Sequence, residues 1–178
     1  MNILEKHYNN FIKYNLALKF NYKNINKIPK IKSIILNFGC KTSDLKKLSL
    51  SFLILQLITK KRGQLTFSKK SNIFLKIRKG QPVGCQVILK KKSKYKIAFY
   101  LFKIFSNNKY NFSLKLNKSK SITFNLFNIF NFNIIENNYI LFNGLNNINI
   151  TLLFDNNINN EILFILNGLK FLKNDKHQ

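Results

Sequence analysis

The sequence predicts an α+β fold, a sheet with helices packed on one of its sides. Three observations predict it. Segments with apolar residues at helical spacing are interleaved with short runs of period two, and no internal repeat emerges. The chain has 178 residues, of which 46% are hydrophobic and 14% aromatic. That suits one domain with a real core, spanning 1–178, and is too apolar for a disordered basic tail. The longest apolar run, residues 50–58, is broken by Ser51 and Gln56 and falls short of the ~18 residues that a membrane span needs.

Each element follows from its own pattern. Residues 4–20 place Leu4, His7, Tyr8, Phe11, Ile12 and Phe20 near helical spacing, which predicts an amphipathic helix. Pro29 and the turn-like residues 24–27 end that unit. Residues 30–38 read as a strand, with Ile34, Leu36 and Phe38 on one face and Ser33, Ile35 and Asn37 on the other. Ser43 is the expected N-cap of the next helix, with Asp44 in its first turn. Leu45, Leu48, Phe52, Leu55 and Ile58 form its apolar face, and Lys60, Lys61 and Arg62 follow its end. Residues 65–67 and 73–77 are short strand candidates, and residues 83–89 a stronger one. Tyr95, Phe99, Phe102 and Phe105 return to helical spacing. Residues 107–121 are polar and basic and are expected to form an exposed excursion. Residues 122–135 read as a strand through Phe130, Phe132 and Ile134. Ile148, Ile150, Leu152 and Phe154 give a further strand. Ile158, Ile162, Ile165 and Leu169 give a last helix.

Charge narrows the function. The chain carries 31 Lys and Arg against 6 Asp and Glu, a net charge of +25. Residues 1–120 hold 28 of the basic residues and 2 of the acidic ones. Such a field repels itself and implies a polyanionic partner, of which nucleic acid is the commonest. Abundant Asn, Lys, Ile, Phe and Leu mark a strongly A+T-biased gene, which discounts the choice of Lys over Arg but not the excess of cations over anions. A peripheral protein on anionic lipid is the alternative, but the polar face of the first helix is largely Asn.

Enzymatic chemistry has little to stand on. Cys40 and Cys85 are isolated, and His7 and His177 have no metal-spaced partners. Asp44, Glu136, Asp155 and Glu161 are scattered. A nuclease needs clustered carboxylates for metal, and no phosphate-loop or dinucleotide pattern occurs. No cofactor, metal or catalytic residue is expected. The N-terminus lacks the apolar stretch of a signal peptide and the Arg-rich look of a transit peptide.

The sharpest segment is K-I-R-K-G-Q-P-V-G-C-Q-V-I-L, residues 76–89. It is a basic turn feeding a strand, in which Gly80 and Gly84 permit conformations or close approaches that a side chain would block. It resembles the F-K-I-R-x-G-x-P-I-G-C-K-V-T-L of the bacterial and organellar family of large-subunit ribosomal protein five. Phe20-Asn21-Tyr22, residues 28–31 (I-P-K-I) and residues 34–39 (I-I-L-N-F-G) resemble that family's F-N-Y, V-P-R-V and I-T-L-N-M-G at the same separations. Lys69-Lys70-Ser71 resembles its A-R-K-S, and Gly144-Leu145 with residues 148–151 its G-L-D-I-T-I.

The resemblance implies a mainly antiparallel sheet backed by helices, and a structural ribosomal protein that binds 5S rRNA in the central protuberance of the large subunit. It implies contacts with large-subunit rRNA, neighbouring ribosomal proteins and a small-subunit head protein, and a loop reaching tRNA in the peptidyl site. With the A+T bias and the divergent tRNA-facing loop, the expected place is a mitochondrial ribosome of the matrix, with a plastid or a reduced bacterium as the alternative. Candidate rRNA-binding residues are Lys32, Asn37, Gln64, Lys69, Lys70, Lys76, Arg78, Lys79 and Gln81. Of these, Asn37 coincides with an Asn of the family's 5S-binding surface and Gln64 with a Gln after its second helix. Lys109, Lys115, Lys118 and Lys120 occupy the expected tRNA-facing loop. The sequence departs from the family there: residues 107–127 have no Gly or Arg, against a G-R-G-N-Y-like original. Ser33 and Ile88 also depart, standing for Lys and Thr.

Overall fold

The central strand β1 (Ile31–Gly39) organises the molecule. It is flanked by β3 (Pro82–Leu89) and β6 (Ile148–Phe154). Beyond β3 lies β2 (Gln64–Phe67); beyond β6 lie β5 (Ser121–Leu126) and β4 (Phe112–Asn117). The six strands run in the order β2-β3-β1-β6-β5-β4, and every neighbouring pair is antiparallel. This computed structural model describes residues 3–40, 44–106, 112–117, 121–145, 147–155 and 159–169.

Alternation sends one parity of each strand into the core. Ile34, Leu36 and Phe38 of β1, Val87 and Leu89 of β3, Ile122 and Phe124 of β5, and Ile150 and Leu152 of β6 are all buried. They share one cluster with residues of α2 (Lys13–Phe20), α3 (Leu45–Thr59), α4 (Lys92–Ser106) and α7 (Asn159–Gly168). The helices therefore cover one face, as the α+β reading expects, and the opposite parity is left for another purpose.

The N-terminal helix begins as α1 (Ile3–His7), widens into a π-turn at Tyr8–Ile12 and continues as α2. Its buried residues step by four: Leu4, Tyr8, Ile12 and Leu16. The wide turn keeps that spacing on one line, so Phe11, expected on the apolar face, is instead 60% exposed. The Tyr8 hydroxyl donates to the Pro29 carbonyl at 2.6 Å in a buried site. Tyr8→Phe leaves that carbonyl without its donor and is expected to cost about 1 kcal/mol, read as a fall in Tm of roughly 2–4 °C for a chain of this size.

Other expectations are corrected by the tertiary structure. Asp44 caps α3, its carboxylate accepting from the Lys46 N–H at 3.1 Å; Ser43 lies outside the described residues. On α3, Leu45 is exposed and Ser51 and Ile54 are buried instead. On α4 Ile97, Ala98, Leu101 and Ile104 are buried, while Tyr95 of the expected aromatic line is half-buried and Phe99 lies at the surface; the side chains of Phe102 and Phe105 lie outside the described residues. Residues 73–77 form no strand: they make the tip of a loop, closed by a single bridge between Asn72 and Ile77. Residues 129–136 likewise form no strand. A 3-10 turn at Ile129–Asn131 and the short helix α5 (Asn133–Glu136) replace the later part of the expected strand, whose earlier part is β5, and α6 (Tyr139–Phe142) follows. Part of the expected excursion at 107–121 is β4, drawn onto the open edge of β5 by backbone pairing from Phe112↔Leu126 to Asn117↔Ser121. Among the described residues no helix is long and apolar enough to cross a membrane.

Candidate RNA-binding surface

The face of the sheet away from the helices is built by strand register. Gln64 pairs with Gln86, Gln86 with Asn37, Asn37 with Asn149, and Asn149 with Asn125. Directly paired residues project to the same side. Five amide side chains from five strands thus form one row across the uncovered face. At ~4.8 Å between strands the row is about 19 Å long. Gln64 and Asn149 are exposed; Gln86, Asn37 and Asn125 are half-buried. The side-chain oxygens of Asn37 and Asn125 are shielded from solvent and accept no hydrogen bond among the described residues.

The sequence-derived candidates fall into two groups. Asn37 and Gln64 are brought together by β1, β3 and β2, with Gln86 between them. Lys69, Lys70, Lys76, Arg78 and Lys79 all lie exposed on the loop that joins β2 to β3. Residues 68–81 contain these five cations and no acidic residue, so the loop presents an unneutralised positive edge beside the amide row. Lys32 is not part of either group. It sits at the register shift between Ile31 and Ser33, five residues along β1 from Asn37, a distance of about 16 Å.

The loop is braced from within. Ser68 Oγ donates to the Arg78 carbonyl at 2.6 Å, the Ser68 N–H donates to the Gln81 carbonyl at 2.9 Å, and the Gly80 N–H to the Ser68 carbonyl at 3.0 Å. Gly80 has φ of +84°, a conformation that favours glycine. The Gln81 side-chain oxygen accepts from the Arg78 N–H at 2.9 Å. Gln81 thus holds the turn that presents Arg78, with its oxygen turned inward. Lys109, Lys118 and Lys120 lie outside the described residues, while Lys115 pairs through β4 with Thr123.

Sequence reasoning missed two features of this surface. Gln86, Asn149 and Asn125 lie on the polar parity of their strands, a signal present in the alternation, but their alignment with Asn37 depends on register. Phe74, at the loop tip, is 98% exposed beside Ile73 at 90%; a free aromatic ring among cations suits base stacking. Tyr22 and Tyr95 are half-buried: the Tyr22 ring packs 6.4 Å from Phe20, and Lys94 lies 5.0 Å from the Tyr95 ring centre. Phe67, on the edge strand β2, is 59% exposed and remains accessible.

No family model matches the chain. Individual relatives do. It is 32% identical over 182 residues to large ribosomal subunit protein uL5m of Reclinomonas americana, covering 99% of this chain and 100% of that one. It is 41% identical over 95 residues to uL5 of Buchnera aphidicola subsp. Baizongia pistaciae, about half of each chain at 52%. It is 34% identical over 90 residues to uL5 of Trichlorobacter lovleyi, covering 49% of this chain and 50% of that one. Fold and relatives together define a structural protein of the large ribosomal subunit, not an enzyme. The chain belongs to the uL5 family, and its end-to-end match is with the mitochondrial form.

Proposed function

We propose that this chain binds 5S rRNA, with adjoining large-subunit rRNA, in the central protuberance of a mitochondrial ribosome in the matrix. The observation that carries the reading is the Gln64–Gln86–Asn37 row beside a loop of five cations. The cations of that loop meet phosphates; the amides donate to and accept from sugars and base edges. Folded RNA is read in this way through shape, 2′-hydroxyls and backbone rather than a deep-groove code. Phe74 and Phe67 add stacking on unpaired bases. In the assembled ribosome the protein faces the small-subunit head, with the segment around β4 directed toward tRNA in the peptidyl site. The whole chain acts as one domain.

The test is a binding comparison. The purified protein is expected to bind its cognate 5S rRNA more tightly than an unrelated RNA of equal length at moderate salt; equal affinities would refute specific recognition. Asn37→Ala is expected to weaken 5S binding by about tenfold, the value of a lost hydrogen bond of ~1.4 kcal/mol, with little change in Tm. An unchanged affinity would place Asn37 outside the contact.

A further inference from the structure

We infer that the outer flank of the N-terminal helix is a docking surface for an amphipathic, acid-flanked helix of a neighbouring protein in the large subunit. The inference goes beyond RNA recognition. It concerns the helix layer, on the side of the sheet away from the amide row, and needs only membership of the large subunit.

The helix carries two apolar lines. Leu4, Tyr8, Ile12 and Leu16 are buried in the core. His7, Phe11, Tyr14 and Leu18 follow at spacings of four, three and four, the interval by which one helix presents side chains to another. Nothing in the described chain covers this second line: Phe11 is 60% exposed, Tyr14 66% and Leu18 78%. The π-turn at Tyr8–Ile12 holds the inner line to the core and thereby turns Phe11 outward. The Phe11 ring lies 5.4 Å from that of His7, whose Nε2–H donates to the Gly168 carbonyl at 3.3 Å at the end of α7. Phe11 is therefore presented on a braced neighbour rather than on a loose turn.

Charge and shape choose the occupant. The helix carries Lys6, Lys13 and Lys19 against a single acid, Glu5, so acidic side chains on the partner complement its flanks. Leu18, and Ile3 four residues before His7, are aliphatic and exposed; neither has a π-face on which a base could stack. Aliphatic and aromatic side chains standing together in solvent are what a protein partner buries. Tyr14, at the middle of the line, adds a ring with a polar tip, the make-up of an interface anchor. From His7 to Leu18 the line is about 16 Å long at ~1.5 Å per residue, room for about three turns of a partner helix.

The experiment treats native large subunits containing the full chain with a water-soluble carbodiimide, which joins a lysine amine to a carboxylate in direct contact. The links are mapped by mass spectrometry. Lys6, Lys13 and Lys19 are expected to join Asp or Glu of one neighbouring protein, within a segment whose apolar residues recur at intervals of three and four. In subunits assembled with Phe11→Gln/Leu18→Gln, the yield of those links is expected to fall about tenfold or more, as when interface anchors are lost. Tm and 5S rRNA affinity are expected to stay level, because both side chains are exposed on the helix layer. Absence of any link from the three lysines overturns the inference, as do links into a non-amphipathic segment or an unchanged yield in the double variant. Ultraviolet cross-linking of Phe11 or Tyr14 to rRNA overturns it in favour of RNA. Flotation of the purified chain with anionic vesicles, lost in the double variant, overturns it in favour of a membrane surface. Should the Tm of the double variant fall, Leu18→Gln, at the more exposed of the two positions, takes its place. A failure of 5S rRNA binding by the unmodified chain defeats the RNA reading alone, since the links are read on the assembled subunit.

Discussion

Changing Lys69, Lys70, Arg78 and Lys79 together to Gln should weaken 5S rRNA binding by about 10²–10³-fold near ~0.1 M salt and lower the log–log salt slope by about 3, with each phosphate contact contributing roughly 0.7–0.9. All four side chains are exposed on the β2–β3 loop. The bonds that brace the loop use backbone groups, Ser68 Oγ and the Gln81 oxygen, none of which the change removes. The fold is therefore expected to survive, and Tm to stay level or rise as like-charge repulsion falls. Circular dichroism with thermal melting checks the fold, and filter binding over a salt series checks the slope. A slope that does not move would mean that these cations face solvent in the complex.

The largest effect on stability is expected at Gly84. Its backbone passes so close to β1 that an added Cβ would lie 2.5 Å from the Phe38 carbonyl oxygen and 2.7 Å from Thr66 Oγ1. Thr66 can rotate, but the Phe38 carbonyl belongs to the central strand. Gly84→Ala must push β3 away from β1 where Phe38↔Cys85 and Gly39↔Gly84 pair. Overpacking of this kind costs about 2–3 kcal/mol, which for a chain of this length lowers Tm by roughly 5–10 °C. Gly39→Ala is the control: nothing lies within 4 Å of its added Cβ, and its Tm is expected to stay nearly unchanged. Equal melting of the two variants would show that β3 and β1 are not as close as the structure has them. The same shift carries Gln86 away from Asn37, so Gly84→Ala should also weaken RNA binding.

The parts of the fold legible in the sequence are those where one local period decides burial. Ile34, Leu36 and Phe38, and Ile148 through Phe154, have clean period two and lie on the buried parity of β1 and β6. Ile162, Ile165 and Leu169 are buried on and beside α7 as their spacing requires. Where two apolar lines compete, the sequence is ambiguous. On α4, Tyr95 and Phe99 are as well spaced as Ile97, Ala98, Leu101 and Ile104, and the smaller side chains take the core. Residues 73–77 have strand-like composition but pair only through the single bridge between Asn72 and Ile77, because the loop must reverse between β2 and β3; Ile73 and Phe74 consequently stand in solvent. In residues 129–136, a tight turn and α5 satisfy the backbone locally, with the Asn128 side chain accepting from the Phe130 N–H at 3.0 Å.

The sequence by itself determined the cationic front two thirds, the motif at residues 76–89, the strand parity that separates Asn37 from Leu36, and the family. Each is local: composition, spacing and alternation are properties of neighbouring residues. Tertiary structure decided which polar residues meet. Gln64, Gln86, Asn37, Asn149 and Asn125 are separated by up to 112 positions (149 − 37) between paired neighbours, and antiparallel pairing sets them in one row. A slip of one residue in any strand would have turned that strand's amide to the opposite face, and alternation within the strand alone cannot specify how it aligns with the next.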